Sequence, residues 1–233
     1  DETTPKNTSK SHMDAFYHEF SEVSHKNYDG WIVTGAPLGM LEYEDVKYWD
    51  KMTELLDWAE GNVQSTIFLC WAAHAAMYHF YGVQRQLRTN KLSGVFEHDV
   101  VHPNDELMRG FDPRFWAPHS RVGEILKQDY DEVPGLSILA QSAEAGTYIS
   151  ATDDRRLVFI TGHPEYDSNT LAQEYERDLE AGLEPVVPEN YFIDNDPGKE
   201  PIVRWKSHGN LLLTNWLNYY VYQNTPYDLS TLR

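Results

Sequence analysis

Residues 65–82 read STIFLCWAAHAAMYHFYG. The apolar run that ends at Cys70 contains β-branched residues and predicts a buried strand, and the alanine-rich run after it predicts a helix that ends at Gly82. The same order occurs once before: Tyr28 to Gly35 predicts a strand closed by a glycine turn, and Val46 to Ala59 has apolar residues at helical spacing. This alternation predicts an α/β fold with a mostly parallel central sheet flanked by helices.

The rest of the chain continues the pattern. Apolar runs between Ser93 and Ile160 predict further strands, and the polar residues 152–155 between two of these runs predict a hairpin. Asp167 or Ser168 can cap a helix that runs to Ala181.

The domain organisation follows from these elements. We expect a single α/β domain over residues 1–233, with a flexible polar arm at 1–12. A proline-rich loop is expected over 184–206, because its prolines exclude regular structure. An apolar, aromatic helix is expected over 207–223.

The composition is that of a folded, acidic protein. The chain has 233 residues, of which 41% are hydrophobic, so disorder over the whole length is excluded. A formal net charge of −18 repels phosphate backbones and lipid headgroups, so we expect no nucleic-acid or membrane partner. An anionic small-molecule ligand would then need a local positive pocket. The basic stretch with Arg85, Arg88 and Lys91 can supply one, and the alternative is a solvated loop.

The number of cysteines and the hydropathy of the chain bear on where the protein is located in the cell. Cys70 is the single cysteine, so no internal disulfide can form and no thiol cluster is available for zinc. The first residues lack the features of a signal peptide, and no run approaches the roughly 18–20 apolar residues of a membrane span. We therefore expect a cytoplasmic protein. No metal site is expected either, because the histidines lack ligand spacing.

Cys70 is the first candidate for chemistry. It lies at a predicted strand-to-helix turn, where α/β proteins place nucleophiles and where helix amides favour a thiolate. The alternative is a buried, inert side chain.

His163 and Glu165 are the second candidate. They follow an apolar strand, and residues two apart in extended backbone point to the same side, so Glu165 can orient the imidazole. Cys70, His163 and Glu165 are together the parts of a Cys-His-Glu triad. The alternative for His163 is a surface-loop histidine bonded to backbone.

An acyl-transfer site also needs donors for an oxyanion. The turn at Cys70 supplies the amide of Trp71. Pro37 has no amide, so Leu38 or Gly39 is the second candidate donor, unless that turn has Gly and Pro for shape only.

Seven motifs, in this order along the chain, resemble the homoserine O-succinyltransferase family. They are IVTGAPLG at 32–39, CWA at 70–72, KLSGVFEH at 91–98, APHSR at 117–121, TGHPEYD at 161–167, SHGNLL at 207–212 and NWLNYYVYQ at 215–223. The resemblance covers nearly the whole chain.

The resemblance implies a class I glutamine-amidotransferase-like, flavodoxin-like fold and an acyltransferase of methionine biosynthesis. A succinyl group would pass from succinyl-CoA to Cys70 and then to the hydroxyl of L-homoserine, by a ping-pong mechanism. No permanently bound cofactor is implied, since the acyl-CoA is a co-substrate, and a homodimer is implied.

The family's pattern also assigns individual residues. Lys91, Ser120, Glu174 and Arg177 match substrate-binding positions, and Arg177 would hold the amino acid's carboxylate. Gly39 matches the position that separates succinyl from acetyl donors, because a glycine leaves room for the longer acyl group. The family has an N-terminal strand before residue 1, which we expect to be absent from this chain, and it usually shows a Gln near the place of His74.

Other functions stay open. The donor can be acetyl-CoA and the acceptor can be serine, which differs from homoserine by one methylene. The same triad could serve a cysteine hydrolase or amidotransferase of the same fold. A further hypothesis, outside the enzymes, is a non-catalytic binding module.

Overall fold

A seven-stranded sheet forms the centre of the described chain, which in this computed structural model comprises residues 12, 13 and 16–226. The arm expected over 1–12 lies outside the described residues except for His12. The strands are β1 Tyr28–Val33, β2 Val63–Leu69, β3 Gln86–Val100, β4 Arg114–Glu124, β5 Leu136–Ser142, β6 Gly146–Thr152 and β7 Leu157–Ile160. Their order across the sheet is β1-β2-β7-β6-β5-β3-β4.

Helices cover the sheet and its edges. They are α1 Phe20–Val23, α2 Trp49–Asn62, α3 Trp71–Tyr81, α4 Lys127–Asp131, α5 Thr170–Glu180 and α6 Lys206–Asn215. The last helix continues as a π-helix, Trp216–Tyr222, so the segment 207–223 changes its winding half-way. The proline-rich segment contains a short 3₁₀ turn, Ile193–Asn195, and is tied to the sheet by a bridge between Glu189 and Gly94.

The α/β class is confirmed, but the sheet is mixed rather than mostly parallel. The β1-β2 and β2-β7 pairings are parallel, and the other four pairings are antiparallel. Short turns join β5 to β6 and β6 to β7, and such turns can only connect antiparallel neighbours. The predicted hairpin at 152–155 is one of them.

Helix α3 lies where the parallel strands meet the core. Every residue from Trp71 to Met77 is buried, because the helix packs against β2, β4 and β7. Gly82 ends it in the left-handed conformation at φ 69°, which suits a residue without a side chain. Since β2 and β7 are parallel neighbours, with Leu69 opposite Ile160, the segments that follow them emerge side by side at one edge of the sheet. Among the described residues, no helix has the length and apolarity to cross a bilayer.

Candidate active site

Cys70 forms a sharp turn between β2 and α3. Its φ of 52° and ψ of −115° lie in a region that non-glycine residues rarely adopt, as at nucleophile turns of other α/β enzymes. Gly35 makes this turn possible, because a Cβ on Gly35 would lie 3.2 Å from the Cβ of Cys70 and 3.3 Å from the amide nitrogen of Trp71. The Sγ of Cys70 lies 3.8 Å from the carbonyl oxygen of Ser120.

His163 lies beside Cys70, at the end of β7. Its amide donates to the carbonyl of Pro118 at 2.9 Å, which fixes the loop against β4. Nδ1 of His163 is 2.8 Å from Oε1 of Glu165, so the i, i+2 geometry expected from the sequence is present. The ring of Tyr166 stacks on the imidazole at 4.0 Å between centroids.

The proton on His163 is held by its two partners. Burial by itself lowers the pKa of His163, but hydrogen bonds to Cys70 and Glu165 and electrostatic interactions with both side chains raise it to about 10. The imidazole is therefore protonated at neutral pH beside the Cys70 sulfur. A donor in this position can protonate a leaving group.

Glu174 forms the opposite wall. Its Oε2 accepts a hydrogen bond from the hydroxyl of Ser120 and lies 3.4 Å from Nζ of Lys91, and its Oε1 accepts from the hydroxyl of Tyr166 at 2.5 Å. Burial alone raises the pKa of Glu174, but the two hydroxyls and the Lys91 and His163 charges lower it overall. The carboxylate is thus kept ionised inside the pocket.

A charge network extends from Glu174 toward the rim. Lys91 also contacts Asp178, at 3.0 Å. The guanidinium of Arg177 pairs with the same carboxylate at 2.8 Å, and its side chain is 63% exposed. Asp178 was not a predicted site residue, although it lies one helical turn after Glu174; Tyr166 was missed as well, although it stands inside the TGHPEYD motif.

These residues enclose a pocket of about 480 Å³ in front of Cys70. It is lined by Cys70, His163 and Trp71 together with the expected substrate positions Gly39, Lys91, Ser120, Glu174 and Arg177. Glu165 lies behind His163 and does not line the pocket.

The two expected oxyanion donors, the amides of Trp71 and Leu38, differ in whether they are available to a ligand. Trp71 is the first residue of α3, where an amide has no acceptor within its own helix and is free for a ligand. The amide of Leu38 donates to the carbonyl of Ala36 at 2.8 Å, and Leu38 does not line the pocket. Its role as a donor stays a prediction that requires this turn to open.

The three basic residues of the 85–91 stretch separate in the fold. Lys91 is paired as described, and Arg88 forms an ion pair with Glu124 at 2.5 Å, away from the pocket lining. Arg85 lines the pocket. His74, one turn after Cys70, lines it as well. In the part of the chain that the structure describes, no cluster of three or more His, Cys, Asp or Glu side chains could hold a metal ion.

The sequence is similar to a defined family over almost its whole length. The family model for homoserine O-succinyltransferase matches residues 1–227. A protein named homoserine O-succinyltransferase from Alteromonas mediterranea is 62% identical, across 100% of this chain and 74% of its own length. A protein of the same name from Pseudoalteromonas atlantica is 63% identical, across 100% of this chain and 75% of its own length. A protein of the same name from Shewanella amazonensis is 53% identical, across 97% of this chain and 72% of its own length.

Solved structures share the architecture at low identity. A glutamine amidotransferase from Thermotoga maritima superposes with a TM-score of 0.56 at 11% identity, over 82% of this chain and 78% of that chain. A glutamine amidotransferase from Methylobacillus flagellatus gives 0.53 at 14% identity, over 84% and 75%. These similarities support the class I glutamine-amidotransferase-like fold and nothing further.

Proposed function

The chain belongs to the homoserine O-succinyltransferase family, and we propose that it transfers a succinyl group from succinyl-CoA to the hydroxyl of L-homoserine in methionine biosynthesis. As a member of that family it is an acyltransferase. The observation that carries the proposal is that Cys70 and His163 line one pocket, while Glu165 lies behind His163 with Oε1 2.8 Å from its Nδ1.

The first half-reaction acylates Cys70. Its sulfur, as the thiolate, attacks the carbonyl carbon of the donor thioester, a bond to Cys70 forms, and the bond to the coenzyme A sulfur breaks. The amides of Trp71 and Leu38 stabilise the oxyanion of the tetrahedral intermediate. The proton on His163 passes to the departing coenzyme A thiolate.

The second half-reaction transfers the acyl group to the acceptor. His163, now neutral, removes the proton of the homoserine hydroxyl, whose oxygen attacks the thioester on Cys70. The ester forms, the thiolate of Cys70 leaves, and His163 is protonated again. Glu165 keeps Nδ1 of the imidazole as a donor, so that Nε2 exchanges the proton throughout.

The charged wall opposite Cys70 suits an amino acid. Arg177, at the rim, can bind the acceptor's carboxylate with its planar guanidinium. Glu174 is held ionised and can accept from the ammonium group, with Lys91 and Ser120 holding Glu174 in place.

The glycine at position 39 supports succinyl-CoA, rather than acetyl-CoA, as the acyl donor. A Cβ at position 39 would lie 2.5 Å from Cγ2 of Val122, so a side chain there would have to displace Val122, which lines the same pocket. Acetyl-CoA is the second candidate donor, since a shorter acyl group also fits. We further propose a cytoplasmic homodimer built from one domain per chain.

Intact-protein mass spectrometry tests this function. The protein is mixed briefly with succinyl-CoA or acetyl-CoA without acceptor, beside the Cys70→Ser variant. We expect a succinyl adduct that maps to Cys70, is lost on addition of homoserine, and is absent from the variant. An acetyl adduct instead would reverse the donor assignment, loss of the adduct with serine would reverse the acceptor, and ammonia release from glutamine would favour an amidotransferase. A folded protein that forms no adduct would contradict the proposal.

A further inference from the structure

Two arginines in the pocket have no acidic partner. Arg85 and Arg121 both line it, and within residues 12, 13 and 16–226 neither forms a salt bridge. The other lysine and arginine that line the pocket, Lys91 and Arg177, are both paired with Asp178. In a chain of net charge −18, unpaired guanidinium groups in a pocket are unusual and indicate an anionic ligand.

The charged guanidinium group of Arg121 is buried, and its charge is only partly compensated. The residue is 6% exposed, and its terminal nitrogens donate to the carbonyl oxygens of Gly123 and Ala145, whereas its Nε has no partner. Burial lowers the pKa of Arg121, which reflects the loss of hydration of its charge. Glu124 is the carboxylate that acts on it, but that side chain is taken by Arg88. Carbonyl oxygens compensate a buried cation only in part, so an anion beside it would be bound strongly.

Arg85 is held in place with one end free. Its Nη2 donates to the carbonyl oxygen of Leu41, and its guanidinium carbon lies 4.5 Å from the centre of the Tyr43 ring. Its Nη1 is buried without a partner. The group is thus oriented by its neighbours while one donor is left for a ligand.

His74 lies close enough to both arginines to interact with their charges. Burial first, and then the charges of Arg121 and Arg85, lower its pKa to about 3, so the ring is neutral. Its Nε2 is buried and has no partner. Gly123 lets the groups converge, because a Cβ there would lie 3.1 Å from Cδ of Arg85 and 3.2 Å from Nδ1 of His74.

This cluster lines the same pocket as Gly39, the position that we connect with the acyl donor. Val122, which stands between Arg121 and Gly123 in the sequence, closes against Gly39. Arg121 also interacts electrostatically with Cys70. The acidic residues that face the acceptor, in contrast, come from α5.

We infer that Arg85 and Arg121, together with His74, bind the terminal carboxylate of a dicarboxylic acyl group while its other end is attached to Cys70. This inference rests on the proposed function and names the part of the site that recognises the donor. Nη1 of Arg85, Nε of Arg121 and Nε2 of His74 are buried without a partner, so a carboxylate that enters between these side chains would give an acceptor to both guanidinium groups and to the His74 ring with its proton on Nε2. Charge-assisted hydrogen bonds of this kind are stronger than neutral ones.

The test compares two donors of equal chain length. Succinyl-CoA and butyryl-CoA each carry four acyl carbons and differ in the terminal group, a carboxylate against a methyl. We expect Arg85→Gln to slow acylation of Cys70 by succinyl-CoA about 10- to 100-fold, as for loss of a hydrogen bond to a charged group, and to leave butyryl-CoA unchanged. Arg85→Lys should restore part of the rate. Arg114→Gln makes the same charge change at an exposed site on β4 and should alter neither donor.

Calorimetry with free succinate and free butyrate gives a second readout that needs no acyl transfer. We expect wild-type protein to bind succinate more tightly than butyrate, and Arg85→Gln and Arg121→Gln to lose that preference. Equal slowing of both donors by Arg85→Gln, or no slowing with succinyl-CoA, would overturn the inference, as would an unchanged preference for succinate. A wild type that acylates with neither donor but binds succinate selectively would contradict the proposed function and leave the carboxylate site standing.

Discussion

The substitution Gly162→Ala tests how tightly the catalytic histidine is seated. A Cβ on Gly162 would lie 2.7 Å from the carbonyl oxygen of Pro118, 2.8 Å from the Tyr148 ring and 2.9 Å from the His119 ring. These atoms belong to buried residues of the sheet, so they cannot move aside cheaply. Restoring an ordinary contact of 3.4 Å to Pro118 requires a displacement of 3.4 − 2.7, about 0.7 Å, and His163 is the next residue in the chain.

The displacement has two expected consequences. Overpacking a filled core costs about 1–3 kcal/mol, and the lower chain entropy of alanine in the unfolded state offsets about 0.4–1 kcal/mol of it, so we expect a net loss of about 1–2 kcal/mol. A shift of about 1 Å in a reacting group can cost about 100-fold in rate, so we expect acylation of Cys70 to slow about 10- to 100-fold. Urea denaturation measures the stability, and rapid-quench mass spectrometry measures the acylation.

Gly61→Ala is the matched control. Gly61 lies in α2, and a Cβ there meets no described atom within 4 Å. The control should gain up to about 1 kcal/mol from helix propensity and acylate at the wild-type rate. If Gly162→Ala is as stable as wild type and acylates as fast, the tight seating of His163 against β4 is not what positions it.

Further predictions concern Glu165, Asn215 and Gly39. Glu165→Gln should lower the pKa of His163 from about 10 and slow acylation about 100-fold or more, as read from histidine NMR titration and a pH–rate profile. Because the folded-state pKa of His163 lies above its ordinary value of 6.5, protonation of His163 stabilises the folded protein fully below about pH 6.5, and this stabilisation is lost as the pH rises through about 10. Denaturation midpoints measured across that pH range should fall in the wild type and fall less in Glu165→Gln. Asn215→Ala removes the hydrogen bonds from its side-chain amide to the backbone carbonyls of Leu107, at 2.9 Å, and Arg109, at 2.8 Å. It should destabilise the protein by about 1–3 kcal/mol, as measured by urea denaturation. Gly39→Ala should slow acylation by succinyl-CoA, and adding Val122→Ala should restore it, whereas additive losses would show that the two positions do not share one space.

Local patterns in the sequence predicted the elements that build the site. The strand before Cys70, the helix after it and the cap at Gly82 all follow from residues adjacent in the chain, and the structure has β2, α3 and the cap at those places. The contact between His163 and Glu165 was predictable for the same reason, because it depends on an i, i+2 spacing.

Strand direction was not predictable in the same way. The apolar runs between Ser93 and Ile160 indicated strands, but pairing partners are chosen by distant segments and by the length of each connection. The long strand β3 pairs with β4 and with β5, both antiparallel, and thereby makes the sheet mixed. No local periodicity distinguishes such a strand from one in a parallel sheet.

Charge compensation in the pocket was decided only by the tertiary structure. In the sequence, Arg85, Arg88 and Lys91 are equivalent members of one basic stretch. The fold brings Glu124 to Arg88 and the carboxylates of α5 to Lys91. Within the described residues it leaves Arg85 without a salt bridge, in a pocket that Arg121 of β4 also lines. The sequence alone therefore determined which residues can carry charge and chemistry. Which charges are neutralised and which stay available to a ligand depends on partners tens of residues away, because electrostatic energies are set by distance in space and by burial.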